Sequence, residues 1–252
     1  MSTILAAIDA SAAARPVLET AVVLGRRLRL PVVALHVRQD GVEPERLLAA
    51  RAAVELRLAV GVPAHAIVGA LGGTDVAMAV LGVRGHPAGP RPAGSTALAV
   101  AIHAIKPVVV VPPEPHDPPP AGLHRVLVPL DGTPDAARAV DQAMRWFAGS
   151  GVAIVSLHVF DAATVPRFWD RPEHDHAAWS REFLARNAPA AGRHLEVRSG
   201  WPSDRILEVA GTERADMIAL GWRRRLAPDR AAVVRDVLAR TPVPVILLPH
   251  AA

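Results

Sequence analysis

Apolar residues in this chain come in short unbroken runs rather than in alternation with polar ones. Val, Ile, Leu, Ala and Met fill Ile4 to Ile8, Val32 to Leu35, Val76 to Leu81, Val108 to Val111 and Val245 to Leu248. Runs of this kind suit strands buried on both faces, as in parallel sheets. The segments between them carry charges at helical spacing. In the first half the pattern predicts strands at 3–9, 31–37, 53–59, 75–82 and 107–112, and helices at 12–28, 42–52, 62–71 and 95–105. In the second half it predicts strands at 125–131, 152–159, 194–199, 215–221 and 243–248, helices at 134–148, 203–212 and 230–240, and a further helix within 177–187. Strand and helix alternate throughout. The expected fold class is therefore α/β, two tandem doubly wound domains, each with a five-stranded parallel sheet.

The same phrases recur in the same order. Thr3 to Asp9 followed by Ser11 is matched by Arg125 to Asp131 followed by Thr133. Val32 to Val37 is echoed by Ala153 to Val159, Asp75 to Gly82 by Asp216 to Gly221, and Lys106 to Pro113 by Thr241 to Pro249. A repeat of half-chain length is a duplicated domain rather than a solenoid unit. The expected domains are 1–113 and 124–252, joined by a linker at 114–123. Six prolines fall between residues 112 and 122, which favours a stiff polyproline II segment. The second half also carries an insertion at 160–192 holding Phe160, Phe168, Trp169, Trp179 and Phe183. It reads as a cap packing aromatics onto its own domain, or as a ligand lid.

Composition narrows the function classes. Of 28 basic residues, all but Lys106 are Arg, and the net charge is only +4. The charge is shared evenly between halves, so it gives little support to a nucleic-acid partner. The first half has no Phe, Trp or Tyr, which argues against a base-stacking platform there. No apolar run approaches the roughly 20 residues needed to span a bilayer. No secretory signal is evident at the start, and with no Cys there are no disulfides or thiolate metal sites. A cytoplasmic protein without membrane or nucleic-acid partners is the expectation.

The strongest local signal is the loop that runs from Gly82 through Arg84, Gly85 and Arg91 to Gly94, Ser95 and Thr96. It leaves the carboxyl end of a predicted strand, where open parallel sheets bind ligands, and enters a predicted helix. Gly82 and Gly85 allow close backbone approach. Gly94, Ser95 and Thr96 place N–H groups and hydroxyls at a helix N-terminus, which favours an anion. Arg84 and Arg91 add charge-assisted donors. From spacing alone the loop reads equally as an ordinary turn with a Ser cap. Asp9 ends the first strand, where a carboxylate accepts from ribose hydroxyls, holds a metal or caps the next helix. Asp131, followed by Gly132, Thr133 and Pro134, fits the capping role, with Thr133 as N-cap and Pro134 in the first turn.

These residues together carry a resemblance. The order strand, Asp, hydroxyl residue, then Leu-His-Val, then Asp-x5-Leu-Gly-x2-Gly, then Gly-Ser before a helix and a closing Pro-Val-Val-Val-Val-Pro-Pro resembles the universal stress protein family, as two tandem domains. The resemblance implies a Rossmann-like, adenine nucleotide alpha hydrolase-like fold. It implies a site for ATP or another adenine nucleotide, with or without Mg2+. Asp9 would lie on the ribose side, the Val37 backbone would read adenine, and Ala7 and Ile8 would line its pocket. Gly82, Arg84, Gly85, Gly94, Ser95 and Thr96 would surround ribose and phosphates. The family spacing has nine residues between its second and third glycines; here eight lie between Gly85 and Gly94. In the second half Trp222, Arg223, Arg224 and Arg225 follow Gly221, Arg224 takes the second-glycine place, and Ala231 and Ala232 fall near the Gly-Ser place. That copy reads as degenerate.

His36 and His158 recur at matched strand positions and read as structural. Glu173, His174, Asp175 and His176 lack the convergence a metal site needs. No P-loop, dinucleotide fingerprint or nucleophile elbow is present, and no nucleophile, base and orienter set supports an enzyme. The expected function is nucleotide binding in stress response or signalling, with slow ATP hydrolysis at most. The alternatives are a scaffold with both sites degenerate and a weak ATP hydrolase. By resemblance, the halves would meet through their last strands as an intrachain pseudo-dimer, with or without dimerisation of whole chains.

Overall fold

The computed structural model describes residues 2–9, 14–38, 54–83, 94–112, 122–160, 164, 173–189, 194–224 and 228–249. The expected helix at 42–52, most of the linker, Arg84, Gly85, Arg91, Phe168, Trp169 and Arg225 lie outside the described residues. In the first half the elements are β1 (Thr3–Ile8), α1 (Ala14–Leu28), β2 (Val32–Arg38), β3 (Glu55–Val60), α2 (Pro63–Gly72), β4 (Val76–Gly82), α3 (Ser95–His103) and β5 (Val108–Val111). In the second they are β6 (Arg125–Pro129), α4 (Pro134–Ala148), β7 (Ala153–Phe160), α5 (Glu173–Asn187), β8 (Leu195–Ser199), α6 (Pro202–Thr212), β9 (Met217–Trp222), α7 (Pro228–Arg240) and β10 (Val245–Pro249). Every expected element within the described residues is present, with ends shifted by a few residues.

All ten strands join one sheet in the order β3-β2-β1-β4-β5-β10-β9-β6-β7-β8. Each half contributes five parallel strands, and the halves meet where β5 and β10 run antiparallel. There Val110 faces Val245, Val109 faces Ile246 and Val108 faces Leu247. All six side chains are at most 1% exposed. This explains why the two last strands read as pure hydrophobic runs: each is covered on both faces and paired on both edges.

Side chains alternate between two cores. Ile4, Ala6, Val109, Val126 and Ile246 point to the face carrying α1, α4 and α5. Leu5, Val108, Val110, Leu127 and Leu247 point to the face carrying α2, α3, α6 and α7. Two helices close with an Arg in the left-handed conformation. Arg29 has φ 55° and Arg214 φ 50°. The N–H groups of the next residues, Leu30 and Ala215, reach back to the carbonyls of Gly25 and Ala210. This is the six-to-one helix closure, which satisfies carbonyls the helix end leaves over.

A side chain also ties the halves together. Trp222, at the end of β9, is buried and donates its indole N–H to the Ala101 carbonyl at 2.8 Å. Ala101 lies in the last turn of α3, where carbonyls have no intrahelical donor. A second-half side chain thus completes a first-half helix. The described aromatics of the insertion pack on their own half. Trp179 and Phe183 of α5 stack with centroids 4.9 Å apart and close over His158 and Phe160. No helix of the described residues is long and apolar enough to cross a membrane.

Two expectations follow. Trp222→Ala leaves a cavity and an unpaired carbonyl, and should lower the unfolding free energy by about 3–5 kcal/mol, measured by urea denaturation. Burial holds the His158 imidazole below the usual histidine range, although the Leu130 carbonyl and the Asp131 charge act in the opposite direction. The unfolded chain then binds the proton more readily than the folded one. Stability should therefore fall as pH drops below about 6.5, toward the lower folded value. His158→Gln, which keeps a donor for Leu130 but does not titrate, should show a shallower loss between pH 7.5 and 5.5 in the same assay. An unchanged slope would assign the effect to other groups.

Candidate functional site

In each half the strand order reverses beside the first strand, between β1 and β4 and between β6 and β9. Crossovers leave to opposite sides at that point, which opens a crevice outside the carboxyl ends. The first-half candidates gather around it. Ala7 lies in register between Leu35 of β2 and Leu81 of β4. Ile8 faces His36, Val37 is the next residue of β2, and Gly82 ends β4 opposite Val111. Asp9 follows directly from β1 and is exposed.

The glycine loop is closed at its base. The Gly94 N–H donates to the Val83 carbonyl at 2.8 Å, so the chain returns to the strand end it left. Gly94 is the N-cap of α3, with φ −62° and ψ 152° and no side-chain cap bond. Any residue adopts that backbone, so left-handed freedom is not what Gly94 provides. What it provides is an uncapped helix end. The N–H groups of Ser95, Thr96 and Ala97 have no carbonyl within the helix to accept them. Ser95 is exposed and Thr96 half-buried, both in the first turn that carries those donors.

The second half keeps the scaffold and changes the site. His36 and His158 are matched clamps: the Nδ1 of each bonds the carbonyl one residue before the strand-ending Asp, Ile8 at 3.1 Å and Leu130 at 2.7 Å. A carbonyl only accepts, so each Nδ1 carries the proton. The structural reading of both histidines agrees with this geometry. Asp131 accepts from the Thr133 N–H and from its hydroxyl, each at 2.8 Å. Thr133 is the N-cap of α4 and Pro134 opens the helix, but the Thr133 hydroxyl turns to Asp131 instead of capping. Gly132 sits at φ 79°, and a Cβ there would be 3.4 Å from the Phe183 ring. The aromatic cluster thus stands beside the end of β6, where Gly132 follows Asp131.

Arg224, at the second-glycine place, has φ 56°. A non-glycine residue costs roughly 1 kcal/mol to hold in this left-handed backbone. Trp222, read from sequence only as the residue that follows Gly221, is the anchor into α3. Its large apolar ring directly after a buried strand was the available signal. Asp75 and Asp216, alike in sequence, differ in role: Asp75 pairs with Arg57 at 3.5 Å, whereas the Asp216 carboxylate accepts the amides of His124 and Arg125 at 2.7 and 2.8 Å. Among the described residues no group of three or more His, Asp or Glu is placed to hold a metal ion.

Comparison with known proteins follows the same lines. The model of the universal stress protein family matches residues 122–249, which is 128 of the 252 residues. A universal stress protein from Archaeoglobus fulgidus DSM 4304 shares the fold with a TM-score of 0.70 at 20% identity, covering 99% of this chain and 96% of that one. A functionally unknown protein from Pseudomonas aeruginosa PAO1 aligns with a TM-score of 0.73 at 14% identity, covering 99% and 93%. A comparison with curated proteins finds no match. The matched half holds the repeated strands, the histidine clamp and the strand-ending Asp described above, and the chain belongs to the universal stress protein family.

Proposed function

We propose that this chain binds ATP or another adenine nucleotide in its first half and acts in stress response or signalling rather than in rapid catalysis. The observation that carries the reading is the crevice between β1 and β4, where an uncapped α3 N-terminus meets the side-chain-free end of β4 at Gly82. Phosphate oxygens are the acceptors that such a row of N–H groups favours. Ala7 and Val37, on one face of the sheet, offer an apolar floor beside it, Ile8 adds its backbone, and Asp9 offers a carboxylate for ribose hydroxyls. Arg84 and Gly85 complete the proposed set. Mg2+ would be held chiefly by the phosphate oxygens, as this ion usually is. The second half, with Asp131 engaged by Thr133 and aromatics against Gly132, serves as structural partner. In this reading 1–113 and 124–252 are two domains forming a pseudo-dimer through β5 and β10, and the site count is one per chain.

Calorimetric titration with ATP tests it, beside Gly94→Asp. An Asp at this N-cap would itself accept the first-turn N–H groups and repel phosphate, while favouring the helix. Wild type should bind, and Gly94→Asp should weaken binding at least tenfold, about 1.4 kcal/mol, with no loss of thermal stability. Absence of ATP binding by wild type, or equal binding by the variant, would refute the first-half site and favour the scaffold reading. A weak hydrolase would require turnover that Asp9→Ala abolishes.

A further inference from the structure

A second concavity lies at the opposite end of β4. It is a cleft of about 560 Å³ between the amino ends of the first-half strands and the second half, where β10 ends and α4 passes. Its size is that of an ordinary small-molecule site. Leu28, Met78, Trp146 and Leu248 make its apolar walls, and Ser2 and Thr74 add hydroxyls. Among the described residues the one charged group lining it is Lys106, the single lysine of the chain.

Lys106 is half-buried and held firmly. Its Nζ donates to the Gly73 carbonyl at 2.5 Å and to the Val76 carbonyl at 2.6 Å. An ammonium has three donors, so among the described residues one is left for another acceptor. Among the described residues Lys106 forms no ion pair, and no acidic side chain lines the cleft. A fixed cation beside an apolar wall that includes an indole is complementary to an anion with an apolar body.

The duplication supplies an internal comparison. Pro107 and Pro244 occupy equivalent places, each carbonyl accepting an amide of the neighbouring strand, from Ala79 and from Ile218. The residue before Pro244 is Val243, so the second half has no counterpart of Lys106. The matching concavity, under α1, has only about 50 Å³ and is lined by the acidic Glu19 and Asp216. The open, basic cleft is thus particular to the first-half end.

We propose that this cleft binds a small monocarboxylate with an apolar body, the carboxylate on Lys106 and the body against Trp146. Calorimetry with 3-phenylpropionate, indole-3-acetate and octanoate, beside the neutral 3-phenylpropanamide, tests it. At least one carboxylate should bind, and 3-phenylpropionate at least tenfold more tightly than its amide. Lys106→Met should abolish that preference. Because Lys106 also secures two carbonyls, Ile105→Glu provides a second variant: Ile105 is exposed at the cleft and 67% accessible, so the change adds a repelling charge without touching the core. It should weaken carboxylate binding at least tenfold with an unchanged melting temperature. The proposed nucleotide site lies about 20 Å away along β4, so ATP titration should be the same in wild type and Ile105→Glu, and the two proposals fail separately. Failure of every carboxylate to bind at about 10 mM, equal affinity for acid and amide, or full binding by Ile105→Glu overturns the assignment.

Discussion

The antiparallel pairing of β5 with β10 is the contact on which the rest of the architecture depends. Each half is a parallel sheet whose last strand would otherwise present an apolar edge with unpaired N–H and C=O groups. Joining the two edges buries Val108 to Val110 against Val245 to Leu247 and turns two five-stranded sheets into one. Complete burial of a Val, Ile or Leu side chain contributes about 1.5–3 kcal/mol, so this seam is among the more strongly held parts of the chain.

The geometry of that seam decides what else can meet. Because the pairing is antiparallel, the end of β10 lies beside the beginning of β5. That brings Leu248 and α4 up to Lys106 and forms the cleft there. It also carries β9 alongside, so that Trp222 reaches the last turn of α3. The helix whose N-terminus opens the candidate nucleotide site is therefore fastened at its other end by the opposite half. Completion of that first-half helix thus falls to a residue two positions before Arg224, which replaces the second glycine of the motif.

The copies retain what the sheet needs and differ in what lies at its ends. The histidine clamps onto Ile8 and Leu130 are the same device twice, because both strand ends need a donor for the last carbonyl. Beyond the clamp the requirements part. At Gly94 the absence of a side chain leaves the first-turn N–H groups of α3 without a side-chain cap, whereas after β6 the aromatic rings of α5 stand beside Gly132.

The order of elements, the parallel strands and the duplication were legible in the sequence, since period, run length and repetition are local properties of the chain. So was the convergence of Ala7, Ile8, Asp9, Val37 and Gly82, because strands of one parallel sheet end together once their order is known. The roles of Asp75 and Asp216 were not, although their surroundings in sequence are alike, because a carboxylate's role depends on which donors come within 3 Å. Nor were the bond from Trp222 to Ala101 and the company of Lys106. Each joins residues from different halves, and only the way the two sheets meet brings them into contact.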